Sequence, residues 1–516
     1  LNMISAQIVG SSLKYLQGVY RKNLFIFFIL LSGFVLNMIS AQIVGSSLKY
    51  LQGELNASVE QISYVMSASL IAEVIIIPFS GLLMRLLSTR VFFLISLSGF
   101  IISSIGCAIS YSFLPLILFR GLQGFFGGAM IPIMMANTYI LFKPKEIPLI
   151  LSIAATIGVS SIAFGPILGG VLTEFLNWRW MFLYNIPVGI IIFILGYYFI
   201  DLKKKDDVAI SKIDFQGIIL LAISLITLLL FLGEGEKRDW FFSDFIFFCF
   251  SIFIFSLVFF IRRELIYNNP VIDLSIFINK NFFIGVIICC IFAINLYPPI
   301  FLIPVFITKL HHIDPIDIGL IVSIMGIGMM LTSPIAGPLL KAYGVKPIII
   351  LGSLITGLGA YMQSFITADY VLLNFFPSQL LKGIGLQLLF MGSQFICFSS
   401  LQTSKVPNAA AMYNLTMRLT AAVSIAIANN YFIKFKKQIL SQISDYNNIE
   451  SFNLNALEND NINSKFLENL LLLYERESFI IAFNQISFMI VWTSAIPLLF
   501  IIFFYNKNKL FRKGEK

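Results

Sequence analysis

Runs of roughly twenty apolar residues, interrupted by short polar or basic stretches, recur along nearly the whole chain. A helix needs about 20 apolar residues to cross a hydrocarbon core about 30 Å thick, so each run predicts one membrane-spanning helix. The runs lie at 24–48, 61–83, 91–111, 114–142, 149–173, 180–200, 215–232, 244–261, 282–307, 317–340, 348–367, 370–397, 408–432 and 479–505, fourteen in all. The pattern predicts an all-α polytopic membrane protein. A polar segment at 433–478 separates the last two runs, and part of it, SFNLNALENDNINSKFLENLLLLYERES, has the spacing of an amphipathic surface helix.

Composition supports that class. Hydrophobic residues are 58% of the 516 and charged residues 12%, about half the charge of a soluble domain. The net charge of +9 is distributed by topology. Arg85, Arg90, Lys143, Lys203, Arg262, Arg263, Lys280, Lys341 and Lys346 fall in alternate connections, while the intervening ones hold few basic residues. Basic loops stay cytoplasmic, so both termini are expected in the cytoplasm and the charge does not imply a nucleic-acid partner. The expected partners are the lipid bilayer and a small molecule.

Two repetitions stand out. Residues 1–18, LNMISAQIVGSSLKYLQG, recur letter for letter at 36–53, where they complete the first span; the first copy is expected to be a dispensable, poorly ordered extension. The second repetition is weaker and more instructive. SGLLMRLLSTR after the second span places Gly81, Arg85 and Arg90 in a tight turn, and AGPLLKAYGVK after the tenth places Gly337, Lys341, Gly344 and Lys346 in the same topological position. Arg120 in the fourth span likewise matches Lys382 in the twelfth. Two halves of similar plan are how many carriers build a central site that opens alternately to either side.

The candidate chemistry is sparse. Glu73 lies midway along the second span with no other acid nearby in sequence. A charged acid at a helix centre costs about 2.5–3.5 kcal/mol on insertion scales, so Glu73 should face a partner or a cavity, where it can take up and release a proton. Arg120 is the expected counter-cation, and Lys382 and Arg418 are further intramembrane cations; Lys382 would favour an anionic or zwitterionic cargo. Asn37, Gln42, Gln123, Asn137, Asn295, Gln379, Gln387 and Gln394 are polar positions that either line the same cavity or bridge helices. Cys107, Cys249, Cys289, Cys290 and Cys397 all lie in spans and read as packing residues. His311, His312 and Asp314 share a short loop, but adjacent histidines chelate poorly and no metal site is expected. No GxxxxGK[ST] sequence occurs, so no enzyme activity and no ATP-driven step is expected.

Between them, 158–172 (GVSSIAFGPILGGVL), RGLQGFFGGAMIP (120–132), GPILGGVLTEFLNWRWMFLYNIPVG (165–189), IDFQGIILL (213–221), GEGEKRDWF (233–241) and NPVIDLSIFINKNF (269–282) carry a family resemblance. The chain resembles the fourteen-span drug:proton antiporters of the major facilitator superfamily, the EmrB/QacA type, from about Leu24 to Tyr505. Gly158, Gly165, Pro166, Gly169 and Gly170 are similar to that superfamily's antiporter signature, and Arg120 to an arginine proposed there to take part in proton transfer.

The resemblance implies a major facilitator fold with two six-helix bundles and two inserted helices. The expected division is an extension (1–23), an N-terminal bundle (24–200), a linker with spans seven and eight (201–281), a C-terminal bundle (282–505) with an extracytoplasmic loop (433–478), and a basic tail (506–516). It implies proton-coupled efflux of amphipathic drugs from the bacterial inner membrane by alternating access. The proton gradient is the energy source and no cofactor is needed. EmrB-like members in two-membrane envelopes use a periplasmic adaptor and an outer-membrane duct. The sequence departs from the pattern where Asn37 replaces an expected first-span aspartate and Arg85 an expected acid in the turn. An importer, a facilitator, or a dedicated exporter of a metabolite such as a siderophore is the alternative those departures leave open.

Overall fold

In a computed structural model the described residues are 2–503, apart from 58, 144–145, 202–213, 267–273, 311–313, 368–371, 400, 402–405 and 447–460. All their regular structure is helical, as the lack of water in hydrocarbon requires: a helix satisfies every backbone group within its own segment.

The first span is α1 (Asn2–Gln42), a 3₁₀ turn at Ile43–Ser47 and α2 (Leu48–Glu54). Then follow α3 (Val59–Leu87), α4 (Thr89–Ala108), and a fourth span divided at Ala129 into α5 (Phe113–Gly128) and α6 (Met130–Leu141). Next come α7 (Ile147–Phe175), a sixth span made of α8 (Trp180–Leu183) and α9 (Asn185–Phe199), and the pair α10 (Phe215–Glu234) and α11 (Asp244–Ile266). The remainder is α12 (Lys280–Leu310), α13 (Pro315–Tyr343), α14 (Val345–Gln363), α15 (Leu372–Ser399), α16 (Val406–Tyr446) and α17 (Asn461–Phe503).

Among the described residues, thirteen of the fourteen expected spans are long and apolar enough to cross a membrane. The other, α3, is helical throughout, with a shorter described apolar stretch at Tyr64–Ile77. Of the segment 433–478, residues 447–460, which include the start of the expected surface helix, lie outside the described residues; the rest contains no glycine or proline and extends α16 to Tyr446 and starts α17 at Asn461. The first copy of the repeated segment continues α1 as helix, whereas the second breaks into the 3₁₀ turn at Ile43–Ser47. His311, His312 and the tail 506–516 lie outside the described residues; Asp314 is the N-cap residue of α13.

The helices form two packed groups. In the first, α3 and α4 pack on α5, and α1 on α6, α7 and α9. In the second, α15 packs on α12, α13 and α14, while α17 packs on α12, α14 and α16. The groups meet along two seams, α7 with α13 and α3 with α16. The pair α10 and α11 is joined at one end by Asp214, which accepts from the Gly217 N–H at 2.9 Å and from Arg263 Nε at 2.5 Å. At the other end α10 reaches both groups. Tyr64 donates to Glu234 at 2.9 Å, and the Asn430 amide donates to the Leu232 carbonyl.

The internal repeat takes a sharper form than its letters suggest. Gly81 and Arg85 fall inside α3, at positions outside the described side chains, and Gly337 and Lys341 fall inside α13; none forms the turn itself. Each turn is a single residue of positive φ, Ser88 at 73° and Gly344 at 79°. Arg90 and Lys346 each follow two residues later, Arg90 stacking on the Tyr197 ring at 4.8 Å.

The α7–α13 seam is built from glycines. A Cβ added at Gly170 would come within 2.9 Å of the Ile316 Cα, one at Gly319 within 3.2 Å of the Ile167 Cα, and one at Gly326 within 2.6 Å of the Ala163 Cα. Small residues let helix backbones touch where no hydrophobic drive between helices exists. On the same helix, Gly165 meets Gln42 of α1 and Gly169 the Ile43 carbonyl, so α7 also presses on the first span where it turns 3₁₀. Pro166 removes one backbone donor within this contact. Gly158 packs on the Phe34 ring.

The two kinds of glycine separate in a stability assay. Gly319→Leu should lower thermal stability in detergent by an overpacking cost of about 1–3 kcal/mol. Gly337→Ala meets open space and should leave the melting temperature unchanged or slightly raised; comparable losses at both sites would contradict this account of the seam.

Candidate functional site

Glu73 lies where the two groups meet. It is 1% exposed, and α5 brings Gly128 so close that an added Cβ would stand 2.7 Å from the Glu73 Cα. Gly124 makes the same approach to Ser69 one turn earlier, so the GLQGFFGG run of α5 is a smooth track against α3. Asn37 of α1 donates from Nδ2 to Glu73 Oε1 at 3.0 Å. The other carboxylate oxygen, Oε2, faces Nε of Arg418 at 3.2 Å, close enough for an ion pair though without hydrogen-bond alignment.

Arg418, on α16, is 3% exposed. Its Nη1 donates to the Tyr297 hydroxyl of α12 at 3.2 Å and its Nη2 to the Met38 thioether of α1 at 2.8 Å. Thioether sulfur is a weak acceptor, so this guanidinium has few strong partners for its five donors. Tyr297 and Met38 carry no signal in the sequence; Tyr297 precedes Pro298 and Pro299 in a helix with a third proline, Pro304, which hints only at irregular backbone.

The counter-cation of Glu73 is thus Arg418 and not Arg120. Arg120 is buried with Nε on the Val65 carbonyl at 3.0 Å, Nη1 on Gln123 Oε1 at 2.7 Å and the Ser40 carbonyl at 3.4 Å, and Nη2 on Ser69 Oγ at 2.9 Å. Gln123 passes its amide on to Ser104 at 2.7 Å. Arg120 reaches α3, α1 and its own helix and consumes the polar groups there, while Arg418 approaches Glu73 from the opposite group. Arg120 was the expected partner; the packing of α16 on α3 selects Arg418.

The remaining polar positions separate. Lys382 is fully buried between α14 and α15, where Nζ donates to Gln363 Oε1 at 2.7 Å. Asn137 donates to the Ile133 carbonyl at 2.7 Å and accepts from Thr89 at 3.2 Å, and Asn295 donates to Ile291 and Thr493, so both join helices and neither contacts Glu73. Gln42 lies against Gly165 of α7. Buried amide atoms of Gln42, Gln379 and Gln387 have no hydrogen-bond partner among the described residues, and Gln394 is half-buried.

The family model described as Major Facilitator Superfamily matches residues 30–294 and 282–433. The chain is 33% identical over 378 residues to the colistin resistance protein EmrB of Acinetobacter baumannii, covering 73% of each chain. It is 26% identical over 464 residues to the multidrug export protein EmrB of Haemophilus influenzae, covering 87% of this chain and 89% of that one. Its fold is similar to a crystal structure of a bacterial homologue of the human lysosomal transporter Spinster, with a TM-score of 0.58 at 12% identity, covering 93% of this chain and 97% of the other.

The Lys382 contact is open to a double-mutant cycle. Gln363→Leu should strand the buried ammonium and cost about 1–3 kcal/mol of stability, while Lys382→Met in the same background should recover most of that loss, because replacing both partners of a buried pair is close to neutral. Melting temperatures of the four proteins in detergent decide it.

Proposed function

The chain belongs to the Major Facilitator Superfamily, and on that premise we propose that it is a proton-coupled secondary exporter of amphipathic small molecules. Protons move inward on Glu73 while cargo moves outward, as the two helix groups rock about their seams. The observation that carries the reading is Glu73 itself. Among the described residues it is the one acid placed mid-span, it stands at the α3–α16 seam, and groups from both sides hold it.

Asn37 explains how the site accommodates its departure from the family pattern. The family's first-span carboxylate is replaced by an amide, and that amide donates to a carboxylate supplied by the second span. A carboxyl is kept within hydrogen-bond reach of the usual position. The GPxxGG segment supports export over import by its similarity to the superfamily's antiporter signature, and it packs α7 against α13, a seam that must slide in either half of the cycle. Basic connections support cytoplasmic termini in a bacterial inner membrane. In a two-membrane envelope this orientation fits delivery to a periplasmic adaptor and an outer-membrane duct. Names of relatives point to antibiotics and other amphiphiles as cargo, and a deletion strain tested against dyes, detergents, bile salts and siderophores would identify which.

In proteoliposomes with an imposed pH gradient, the wild-type protein should move a fluorescent dye against its concentration gradient and release protons in the opposite direction. Glu73→Gln should abolish the gradient-driven movement while leaving dye binding largely intact. Unchanged transport by that variant would remove Glu73 from the mechanism, and proton flow in the same direction as the dye would identify an importer.

A further inference from the structure

We propose that the Glu73–Arg418 pair is a lock that keeps the carrier from reorienting when it holds neither a proton nor cargo, and that Arg418 is the residue that closes it. The inference rests on the proton-coupled exchange proposed above. A machine that exchanges two ligands through one site stays coupled only if its loaded forms cross and its empty form does not. Something must hold the empty form. The described residues contain one ion pair placed mid-span between the two groups, and it uses the same carboxyl to which the proton is assigned.

The geometry suits this role. Of the polar partners described for Arg418, Glu73 on α3 and Met38 on α1 belong to the first group, and Tyr297 belongs to its own. Separation of the first group from α16 therefore strips Arg418 of those two contacts and leaves it the Tyr297 hydroxyl. While Glu73 is charged, that separation pulls apart opposite charges where nothing else among the described residues replaces them. A proton on Glu73, or a cationic group of the cargo beside it, removes the attraction and frees the seam.

The poor alignment of Nε with Oε2 fits a contact made of charge more than of directional bonding, one that protonation can release without dismantling a hydrogen-bond network. The Asn37 contact lies within the first group and moves with Glu73. Other titratable or charged groups around α3 are Arg120 on α5, which feels the Glu73 charge; Tyr297 on α12; Cys107 and Arg90 on α4; Glu54 on α2, bound by Arg179; and Glu234 on α10, bound by Tyr64 about 14 Å along the helix from Glu73. Of the acids in this set, Glu73 alone faces a cation across the seam.

Protons alone suffice as the probe. Donor and acceptor dyes at Leu87→Cys and Tyr343→Cys, exposed ends of α3 and α13, report reorientation by single-molecule energy transfer in reconstituted full-length protein whose five native cysteines are replaced by alanine. Without cargo, the wild-type protein should be static at alkaline pH and exchange about tenfold faster or more at acidic pH, tenfold in rate being about 1.4 kcal/mol of barrier. Arg418→Gln should exchange fast at both pH values, Glu73→Gln should do the same, and Arg418→Lys should restore the pH dependence.

Should Arg418→Gln fail to fold, Glu73→Gln and the charge exchange Glu73→Lys with Arg418→Glu carry the test, the exchanged pair being expected to lock again at alkaline pH. Free exchange of the wild-type protein at alkaline pH, or a static Arg418→Gln protein, overturns the lock. The antiport reading fails separately: a locked carrier that moves no dye in response to a pH gradient refutes antiport and leaves the lock standing, whereas proton-driven efflux by a freely exchanging carrier refutes the lock alone.

Discussion

Charge removed from water must be answered by other charge or by dipoles, and this constraint organises the centre of the protein. An isolated charge at mid-span costs about 2.5–3.5 kcal/mol to insert. The attraction across the 3.2 Å between Glu73 and Arg418 is about 5 kcal/mol at an effective dielectric constant near 20, similar to the combined cost of inserting both. The pair is therefore close to neutral for stability. Its effect lies in specificity, because each member makes the other's position obligatory while both are charged.

The three buried cations show different solutions to the same problem. Arg418 takes a carboxylate from across the seam, Arg120 collects four oxygen acceptors from helices on its own side, and Lys382 rests on a single amide oxygen. Arg120 and Lys382 stand in corresponding spans of the two halves, yet Arg120 is directed toward α3 and Lys382 toward α14. The repeat thus preserves the location of a cation more closely than its partner. A guanidinium with five donors can be shared among several backbones, whereas an ammonium at the end of a flexible stem settles on one strong acceptor.

Packing makes these meetings possible. Glycines at 124 and 128 let α5 lie against α3, and glycines at 170, 319 and 326 let α7 and α13 touch along their length. The first contact brings Glu73 into the interior beside Asn37; the second forms the other seam between the two groups. At its far end α10 bonds to Tyr64 of one group and Asn430 lies against it from the other, so the inserted pair is attached to both groups.

Much of the architecture was legible in the letters, because hydrocarbon thickness converts apolar run length directly into spans and glycines with basic residues recur after the second and tenth of them. Glu73 and the three cations stand out in the letters as candidates for the same reason: charge in a membrane interior is costly. The identity of their partners was not legible. Arg120 is 47 residues from Glu73 and Arg418 is 345 away, and no periodicity links the second pair. The 3₁₀ turn at Ile43–Ser47 makes the point most directly, since the same letters form uninterrupted helix over the described part of their first copy, 2–18, and yield where Gly165 and Gly169 of α7 press against them. Sequence alone determined which residues enter the membrane and which of them carry charge there. Only the tertiary structure decided which charges meet, because that depends on which helix faces which across a seam.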